Sequence, residues 1–270
     1  MNEKLDCVRN LVRAHAPLLV AYSGGVDSTC LLAIAHRTLG DSVLGIIADS
    51  PSIPRQSLAD ALEVARLVGV KVEVIATREF ENELYVSNPP HRCYFCKAEL
   101  FTMMNKLAAE RSFSAIAYGE NADDPPQLRP GSKAAAEFSV LAPLKQAGLN
   151  KAEVRELSRV LGLPTADLPA QPCLSSRIPH GTRVTREALA MVERGEEAVR
   201  SLGFRVFRVR YRAPAGAWVQ IAPEEMQDTG SLCNKVCEVL RRAGFDSVEI
   251  DPNGYQSLSA SFQLASGHRS

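Results

Sequence analysis

The sequence has no excess of charge of either sign, because 31 lysines and arginines balance 31 aspartates and glutamates over 270 residues. This removes the overall positive field that proteins gripping long nucleic acids usually carry. A long apolar run is also missing, since residues 16–22 are far fewer than the roughly 18 of a membrane span. The first ten residues mix both charge signs and contain no apolar signal core. We therefore expect a cytoplasmic protein that binds neither membranes nor nucleic acid.

The cysteines show no pairing pattern. Seven is an odd number, and the seven are spaced irregularly in a chain without a secretion signal. A disulfide framework is therefore not expected. Reduced thiols with separate roles are the better interpretation.

The first two thirds of the chain alternate short β-rich runs with longer helical patterns. The predicted strands are 18–21, 43–48, 72–75 and 115–118, and the predicted helices are 3–14, 28–39, 55–68, 96–111 and 151–161. The strands are apolar almost throughout, as expected when helices cover both faces of a parallel sheet. The pattern predicts an α/β, doubly wound parallel sheet.

Beyond residue 163 the sequence becomes rich in proline, which disfavours both helix and sheet, and we interpret this segment as a linker. It is followed by a predicted helix 185–202, strands 204–211 and 217–221, a helix 231–243 and a strand 247–251. This order indicates a smaller C-terminal α+β domain. We predict domains at 1–168 and 169–255 and a flexible tail at 256–270.

A glycine-containing run, SGGVDST at residues 23–29, follows the first predicted strand and precedes a helix. Two glycines allow a sharp turn, and the unpaired N–H groups of the helix start favour a phosphate. Asp27 would repel that phosphate unless Mg²⁺ stands between them, so we predict the metal. No lysine follows the glycines as in a Walker loop, and the spacing of a dinucleotide loop is absent. A plain glycine turn is the alternative.

Three cysteines form a second group. Cys93 and Cys96 lie three residues apart where a helix begins, and a helix start lowers thiol pKa. Cys173 lies in the run QPCLSSR. An iron–sulfur cluster can be held by three cysteines with its fourth iron open, whereas structural zinc needs a fourth ligand, for which only His91 or His180 is at hand. A sacrificial or persulfide thiol at Cys173 is the third alternative.

The run SGGVDS resembles the PP-loop of the ATP pyrophosphatase superfamily. Further runs resemble the LarE family of that superfamily, the ATP-dependent sulfur transferases of nickel-pincer nucleotide synthesis. They are AYSGGVDST (21–29), RCYFCK (92–97), NADD (121–124), RPG (129–131), PCLSSRIP (172–179) and GTRVT (181–185). The resemblance covers nearly the whole chain and implies an adenine-nucleotide alpha hydrolase-like fold and a homo-oligomer.

The resemblance also implies a reaction on a small nucleotide substrate. ATP adenylates a carboxylate of pyridinium-3,5-biscarboxylic acid mononucleotide with release of pyrophosphate, and sulfur then replaces AMP to give a thiocarboxylate. The implied ATP contacts are Ala21, Ser23, Gly24, Gly25, Val26, Asp27, Ser28, Asp49, Gly119, Asp123 and Arg129. Cys93, Cys96 and Cys173 would hold a [4Fe–4S] cluster. Cys173 would also be catalytic, and the sulfur would come from cluster-bound sulfide or from Cys173 itself.

For the substrate phosphate, the resemblance implies one glutamate and two arginines, matched by Glu197, Arg208 and Arg210, with Arg177 and Arg183 as further candidates. An arginine pair can grip a phosphate bidentately. The alternative is a row of solvent-facing arginines on an edge strand. The run AWVQ at 217–220 replaces the family's usual Ala-Arg-Ile-Glu. A tRNA thiolase and an ammonia-dependent amide ligase, which share the loop, therefore stay as alternatives.

Overall fold

The structure is a computed structural model that describes residues 1–124, 130–226 and 229–255. The chain divides into two compact units, the first being Met1–Cys173 and the second beginning at Leu174. The boundary proposed from the sequence, after residue 168, lies in the proline-rich segment shortly before this division. The predicted tail 256–270 lies outside the described residues, as does Arg129.

The first unit is built around a parallel sheet. Its elements in chain order are α1 (Asn2–Ala14), β1 (Leu18–Tyr22), α2 (Val26–Leu39), β2 (Val43–Asp49), α3 (Arg55–Val68), β3 (Val72–Ala76), α4 (Glu83–Val86), α5 (Arg92–Arg111), β4 (Ala115–Tyr118), α6 (Pro130–Glu137), α7 (Pro143–Gln146) and α8 (Lys151–Val160). The strand order is β3-β2-β1-β4, with Leu18 of β1 opposite Val43 and Ala115 of its two neighbours. The four predicted strands are thus confirmed.

Helices cover both faces of this sheet. On β1, Leu18, Val20 and Tyr22 pack into one apolar cluster with α1, α2, α3 and α8. The alternate residues Leu19 and Ala21 pack into a second cluster with α5 and α6. Every β1 side chain is therefore buried, which is why the strand has no polar position. The predicted doubly wound α/β fold is confirmed.

The order of the strands also determines where a ligand would bind. The chain runs outward from β1 through β2 to β3 and then returns to place β4 on the other side of β1. In open α/β sheets, ligands bind beyond the carboxyl ends of the strands at such a reversal. The crevice beyond Tyr22 and Tyr118 is that position in this unit.

Some helices differ from the sequence prediction. α5 begins at Arg92 instead of residue 96, because the Arg92 amide donates to the carbonyl of Pro89 and starts the first turn early. The short helices α4, α6 and α7 were not predicted. Helices of four to eight residues are unstable alone and depend on packing against the rest of the protein.

The second unit is a small α+β arrangement, as predicted. It comprises α9 (Arg186–Ser201), β5 (Phe207–Arg212), β6 (Gly216–Ile221), α10 (Thr229–Arg242) and β7 (Ser247–Ile250). The sheet order is β5-β6-β7, with the first pair antiparallel and the second parallel. Among the described residues of the whole chain, no helix combines the length and the apolarity needed to cross a bilayer.

Candidate active site

The loop between β1 and α2 has the form of a phosphate cradle. Gly25 is the N-cap of α2, and no side chain caps that helix start. The amides of the first turn are therefore available to an anion. The two serine hydroxyls, Ser23 Oγ and Ser28 Oγ, lie 3.1 Å apart, and Ser28 Oγ donates to the Gly25 carbonyl over 3.1 Å. These bonds hold the loop in shape before any ligand binds.

Gly119 follows β4 and lies against this loop. A Cβ on Gly119 would come within 2.6 Å of the Ser28 amide nitrogen. That distance is too short for any side chain, so the backbone beyond β4 can approach the first turn of α2 only as glycine. Gly119 and the loop therefore form one continuous wall.

Gly24 has a steric role of its own. Its φ is +74°, and a Cβ at this position would lie 2.6 Å from Cβ of Ala61 on α3. We expect Gly24→Ala to lower the free energy of unfolding by about 2–4 kcal/mol, the sum of a left-handed backbone penalty and overpacking. Chemical denaturation measures this loss. The matched control is Gly25→Ala, because φ there is −74° and the nearest atom is 3.6 Å away; equal losses in both variants would contradict the explanation.

Asp27, in the first turn of α2, is placed to bind a cation. Its Oδ2 accepts a hydrogen bond from Lys151 Nζ at 2.6 Å. Its Oδ1 is buried and has no hydrogen-bond partner among the described residues. A buried carboxylate oxygen without a partner is costly unless a ligand takes it. The residues therefore fit Mg²⁺, a hard cation that prefers carboxylate and phosphate oxygens.

A cavity of about 290 Å³ in the first unit joins the phosphate loop to the three thiols. Its wall includes Ala21, Ser23, Ser28 and Gly119 from the region of the phosphate loop, together with Cys93, Cys96 and Cys173. The phosphate loop lies near the start of this unit in the sequence, and Cys173 is its last residue. The fold therefore gathers seven of the residues selected from the sequence around one space.

The pKa of the Cys96 thiol differs from the expectation based on the sequence. The sequence predicts that the start of α5 lowers thiol pKa, but burial raises the pKa of Cys96 to about 12, and the charges of Glu79, Cys173 and Cys93 add to that rise. Lys97 opposes it. Although Cys96 is only partly buried as a residue, desolvation of its thiol outweighs the helix end. Cys96 therefore lies close enough to Cys93 and to Cys173 to be affected by their charges.

The three thiols can be compared with what a cluster and a single ion require. In the described part of the chain, no three His, Cys, Asp or Glu side chains converge to hold one metal ion. A zinc ion would require such convergence. In an iron–sulfur cluster each cysteine binds a different iron, so three thiols around a shared cavity suit it. His91, considered as a fourth zinc ligand, packs against the ring of Phe95.

Two of the predicted nucleotide contacts, Asp49 and Asp123, bind other residues of the protein. Asp49 forms an ion pair with Arg55 at 2.6 Å. Asp123 Oδ2 accepts from the Lys151 backbone amide at 2.8 Å and so helps to order the start of α8. Neither residue belongs to the cavity wall. Arg129, the last of the predicted contacts, lies outside the described residues.

Sequence reasoning missed several residues of the cavity wall, among them Glu79, Arg92 and Lys97. Lys97 had a usable signal, because it lies four residues after Cys93 and therefore on the same face of α5. Glu79 lies in a short charged stretch after β3, and nothing in the sequence separates it from its exposed neighbours.

The second unit gathers arginines around one glutamate, which is Glu196 and not the predicted Glu197. Arg177 Nε and Nη2 donate to the two oxygens of Glu196 at 2.9 and 3.0 Å, with both side chains buried. Glu197 is exposed, as is Arg183. The pattern of buried residues on α9, Leu189, Val192, Glu196 and Val199, is the helical periodicity that would have selected Glu196.

Arg208 and Arg210 lie on β5 next to this pair. Arg208 is stacked over the ring of Tyr255 at 5.0 Å, and burial together with the charge of Arg177 holds its pKa below the usual range. Arg210 Nε donates to Gln220 Oε1 at 2.6 Å, and its Nη1 donates to the Ser176 carbonyl at 3.3 Å. Arg177, Arg208 and Arg210 outnumber Glu196, and the resulting net positive charge suits a phosphate.

The buried pair leads to a stability prediction. We expect Glu196→Gln to lower the free energy of unfolding of the protein by about 3–5 kcal/mol, because it leaves the buried Arg177 guanidinium without its charge partner. Glutamine keeps only one acceptor oxygen for the two Arg177 donors and the Val209 amide that the carboxylate now accepts. Denaturant unfolding measures it. Glu197→Gln, one residue along the same helix and exposed, is the control, and a larger loss there would contradict the assignment.

Comparison with known proteins places the chain in a family. No family model matches it. A protein of Synechocystis sp. described as uncharacterised is 39% identical over 259 residues, 95% of this chain and 96% of that protein. The pyridinium-3,5-bisthiocarboxylic acid mononucleotide synthase of Lactiplantibacillus plantarum is 31% identical over 239 residues, 88% of this chain and 86% of that protein.

A more distant relative covers part of the chain. The glutamine-hydrolysing GMP synthase of Thermomicrobium roseum is 29% identical over 209 residues, 68% of this chain and 39% of that protein. This likeness agrees with the parallel sheet and the loop between β1 and α2. With the 31% identity to the synthase over most of both chains, it shows that the protein belongs to the LarE family of the PP-loop ATP pyrophosphatase superfamily.

Proposed function

We propose that this protein is an ATP-dependent sulfur transferase that acts on pyridinium-3,5-biscarboxylic acid mononucleotide. The observation that carries the proposal is the shared cavity, whose wall contains Ser23 and Ser28 of the phosphate loop and the three thiols. An enzyme that activates a carboxylate with ATP and then replaces the activating group with sulfur needs these two sites side by side. An amide ligase would have no use for the thiols.

The first half of the reaction is adenylation. The amides of the first turn of α2 and the hydroxyls of Ser23 and Ser28 would bind the phosphates of ATP. Asp27 would hold Mg²⁺, whose positive charge would balance the negative charge of the phosphates. A substrate carboxylate oxygen then attacks the α-phosphorus, the bond to the β-phosphate oxygen breaks, and pyrophosphate leaves. The product is an acyl adenylate.

The second half replaces AMP by sulfur. A sulfur nucleophile attacks the acyl carbon, and AMP leaves with the electron pair of the carbon–oxygen bond. If Cys173 is itself the donor, a thioester forms first; loss of the Cα proton and cleavage of the Cβ–S bond then release the thiocarboxylate and leave dehydroalanine. When bound to Cys93, Cys96 and Cys173, a [4Fe–4S] cluster would supply an iron able to carry sulfide instead.

The arginines of the second unit are proposed to hold the substrate phosphate. Arg208 and Arg210 have their guanidinium groups on one strand, and Arg177 is fixed beside them by Glu196. Fixing one arginine with a buried carboxylate reduces the mutual repulsion of the three and keeps the remaining positive charge for the ligand.

The proposal is tested by pyrophosphate release from ATP in the absence of oxygen. We expect release with the pyridinium dicarboxylate mononucleotide, together with a mass spectrum showing oxygen replaced by sulfur. Release with unmodified tRNA alone would instead identify a tRNA thiolase, and an amide formed with ammonia would identify an amide ligase. Iron and acid-labile sulfide in the protein favour the cluster as sulfur source. Their absence, with loss of H₂S from Cys173 after turnover, favours the sacrificial thiol.

A further inference from the structure

Glu79 is a buried carboxylate that the reaction described above does not use. It lies in the turn after β3 and is only 2% exposed. Neither of its oxygens has a hydrogen-bond partner in the part of the chain that the structure describes. Burying a carboxylate without hydrogen bonds is strongly unfavourable. A protein retains such a group mainly where the carboxylate binds something.

The surroundings of Glu79 indicate what it binds. Glu79 lines the same cavity as Cys93, Cys96 and Cys173. The Glu79 carboxylate therefore belongs to the same site as the three cysteines and not to a separate one.

The charges on the cavity wall also favour the binding of a positively charged group. The three thiols and Glu79 are four acidic groups, and Arg92 and Lys97 are the two basic side chains on the cavity wall. With the thiols ionised, as metal ligands must be, negative charge exceeds positive. An iron–sulfur core, in which iron ions outweigh the sulfides in charge, would restore the balance. The ion pair of Asp27 with Lys151 has no net charge and therefore does not change the charge balance of the cavity.

We propose that Glu79 is the fourth protein ligand of the three-cysteine iron–sulfur cluster, its carboxylate binding the iron that no cysteine holds. This inference rests on the proposed function, from which it takes the cluster. A carboxylate is a harder ligand than thiolate and binds iron of such clusters less firmly. Glu79 would therefore protect that iron at rest and give way to a sulfur ligand.

The first test compares wild type with Glu79→Gln after anaerobic reconstitution with ferrous iron and sulfide. The control is Glu81→Gln, an exposed glutamate of the same short turn. We expect similar iron content in all three proteins, since the cysteines remain. In Glu79→Gln alone, the Mössbauer signal of one iron should change. An added small thiol, benzenethiol, should bind to the cluster of that variant at about tenfold lower concentration, because no carboxylate has to be displaced.

The outcomes separate this inference from the function on which it rests. Iron in the wild type with unchanged Mössbauer spectra and unchanged thiol binding in Glu79→Gln would overturn the role of Glu79 and leave the cluster standing. Wild type that takes up no iron would overturn both the cluster and the ligand. A changed iron signal in Glu81→Gln as well would also count against Glu79 as the ligand.

A second measurement distinguishes a ligand from a structural carboxylate. In the metal-free protein, Glu79→Gln should raise the Tm, because the variant removes a buried charge that has no partner in the described structure. A carboxylate retained only for folding would have the opposite effect on substitution. A lowered Tm of the metal-free Glu79→Gln protein would therefore overturn the inference, with Glu81→Gln as the neutral control.

Discussion

Replacing Cys173 by serine is expected to reduce sulfur transfer by at least about 10³-fold while pyrophosphate release stays within about threefold of wild type. Serine keeps the size of the side chain but supplies neither a donor sulfur nor a good ligand for iron. Cys173 lies on the cavity wall with the phosphate loop but belongs to a different segment, so ATP should still bind. Quantifying thiocarboxylate and pyrophosphate in the same reaction separates the two halves.

The control for this prediction is Cys7→Ser. Cys7 is a partly buried free cysteine of α1, like Cys173 in exposure, and it does not line the thiol cavity. Sulfur transfer by Cys173→Ser at the wild-type rate would show that this thiol has no part in the chemistry.

Cys93→Ser extends the same experiment to the source of sulfur. If a cluster supplies the sulfur, this variant should lose both iron and repeated turnover. If Cys173 is the donor, Cys93→Ser should still make one product per chain.

Replacing Asp27 by asparagine is expected to reduce pyrophosphate release by about 10²–10³-fold, which corresponds to the loss of a metal ion's charge stabilisation in the transition state. Asp27 Oδ1 is the buried oxygen that lacks a hydrogen bond in the described structure, and asparagine would offer a neutral atom in its place. Initial rates should be measured over a range of Mg²⁺ concentrations. We expect the variant to need more Mg²⁺ and not to reach the wild-type rate.

Folding must be separated from chemistry in this variant. Asp27→Asn also breaks the ion pair with Lys151, but both side chains are partly exposed, so the loss of stability should be about 1 kcal/mol or less. Circular dichroism checks it. Asp41→Asn is the control, because Asp41 forms a more exposed ion pair with Lys71 away from the site. Full activity of Asp27→Asn at low Mg²⁺ would exclude a metal-binding role for this carboxylate.

Local signals in the sequence were sufficient for most of the scaffold. The apolar run at β1 predicted a strand covered on both faces, and the glycines after it predicted a phosphate loop. The structure adds the reason why two glycines at this site are needed: Gly24 meets Ala61 of α3, and Gly119, which follows β4, meets the Ser28 amide. Those contacts come from residues distant in sequence, so the sequence showed the glycines but not their neighbours.

Long-range packing decided the parts that the sequence left open or placed differently. The prediction for Cys96 considered only its own helix start, whereas burial by the rest of the fold raises its thiol pKa. Glu196 and Glu197 are adjacent and chemically identical, and only the face of α9 that packs inward distinguishes them. Glu79 lines one cavity with the three thiols only because the fold brings the turn after β3 to them.

The sequence by itself determined the strands and the long helices, the chemistry of the phosphate loop and the identity of the three thiols, because periodicity, turn residues and motifs act over short stretches of chain. The tertiary structure alone decided which of these groups share a cavity, which carboxylates are buried without partners and which charges face one another. These properties depend on distances between segments that are far apart in sequence, and burial and electrostatic energies follow those distances in space.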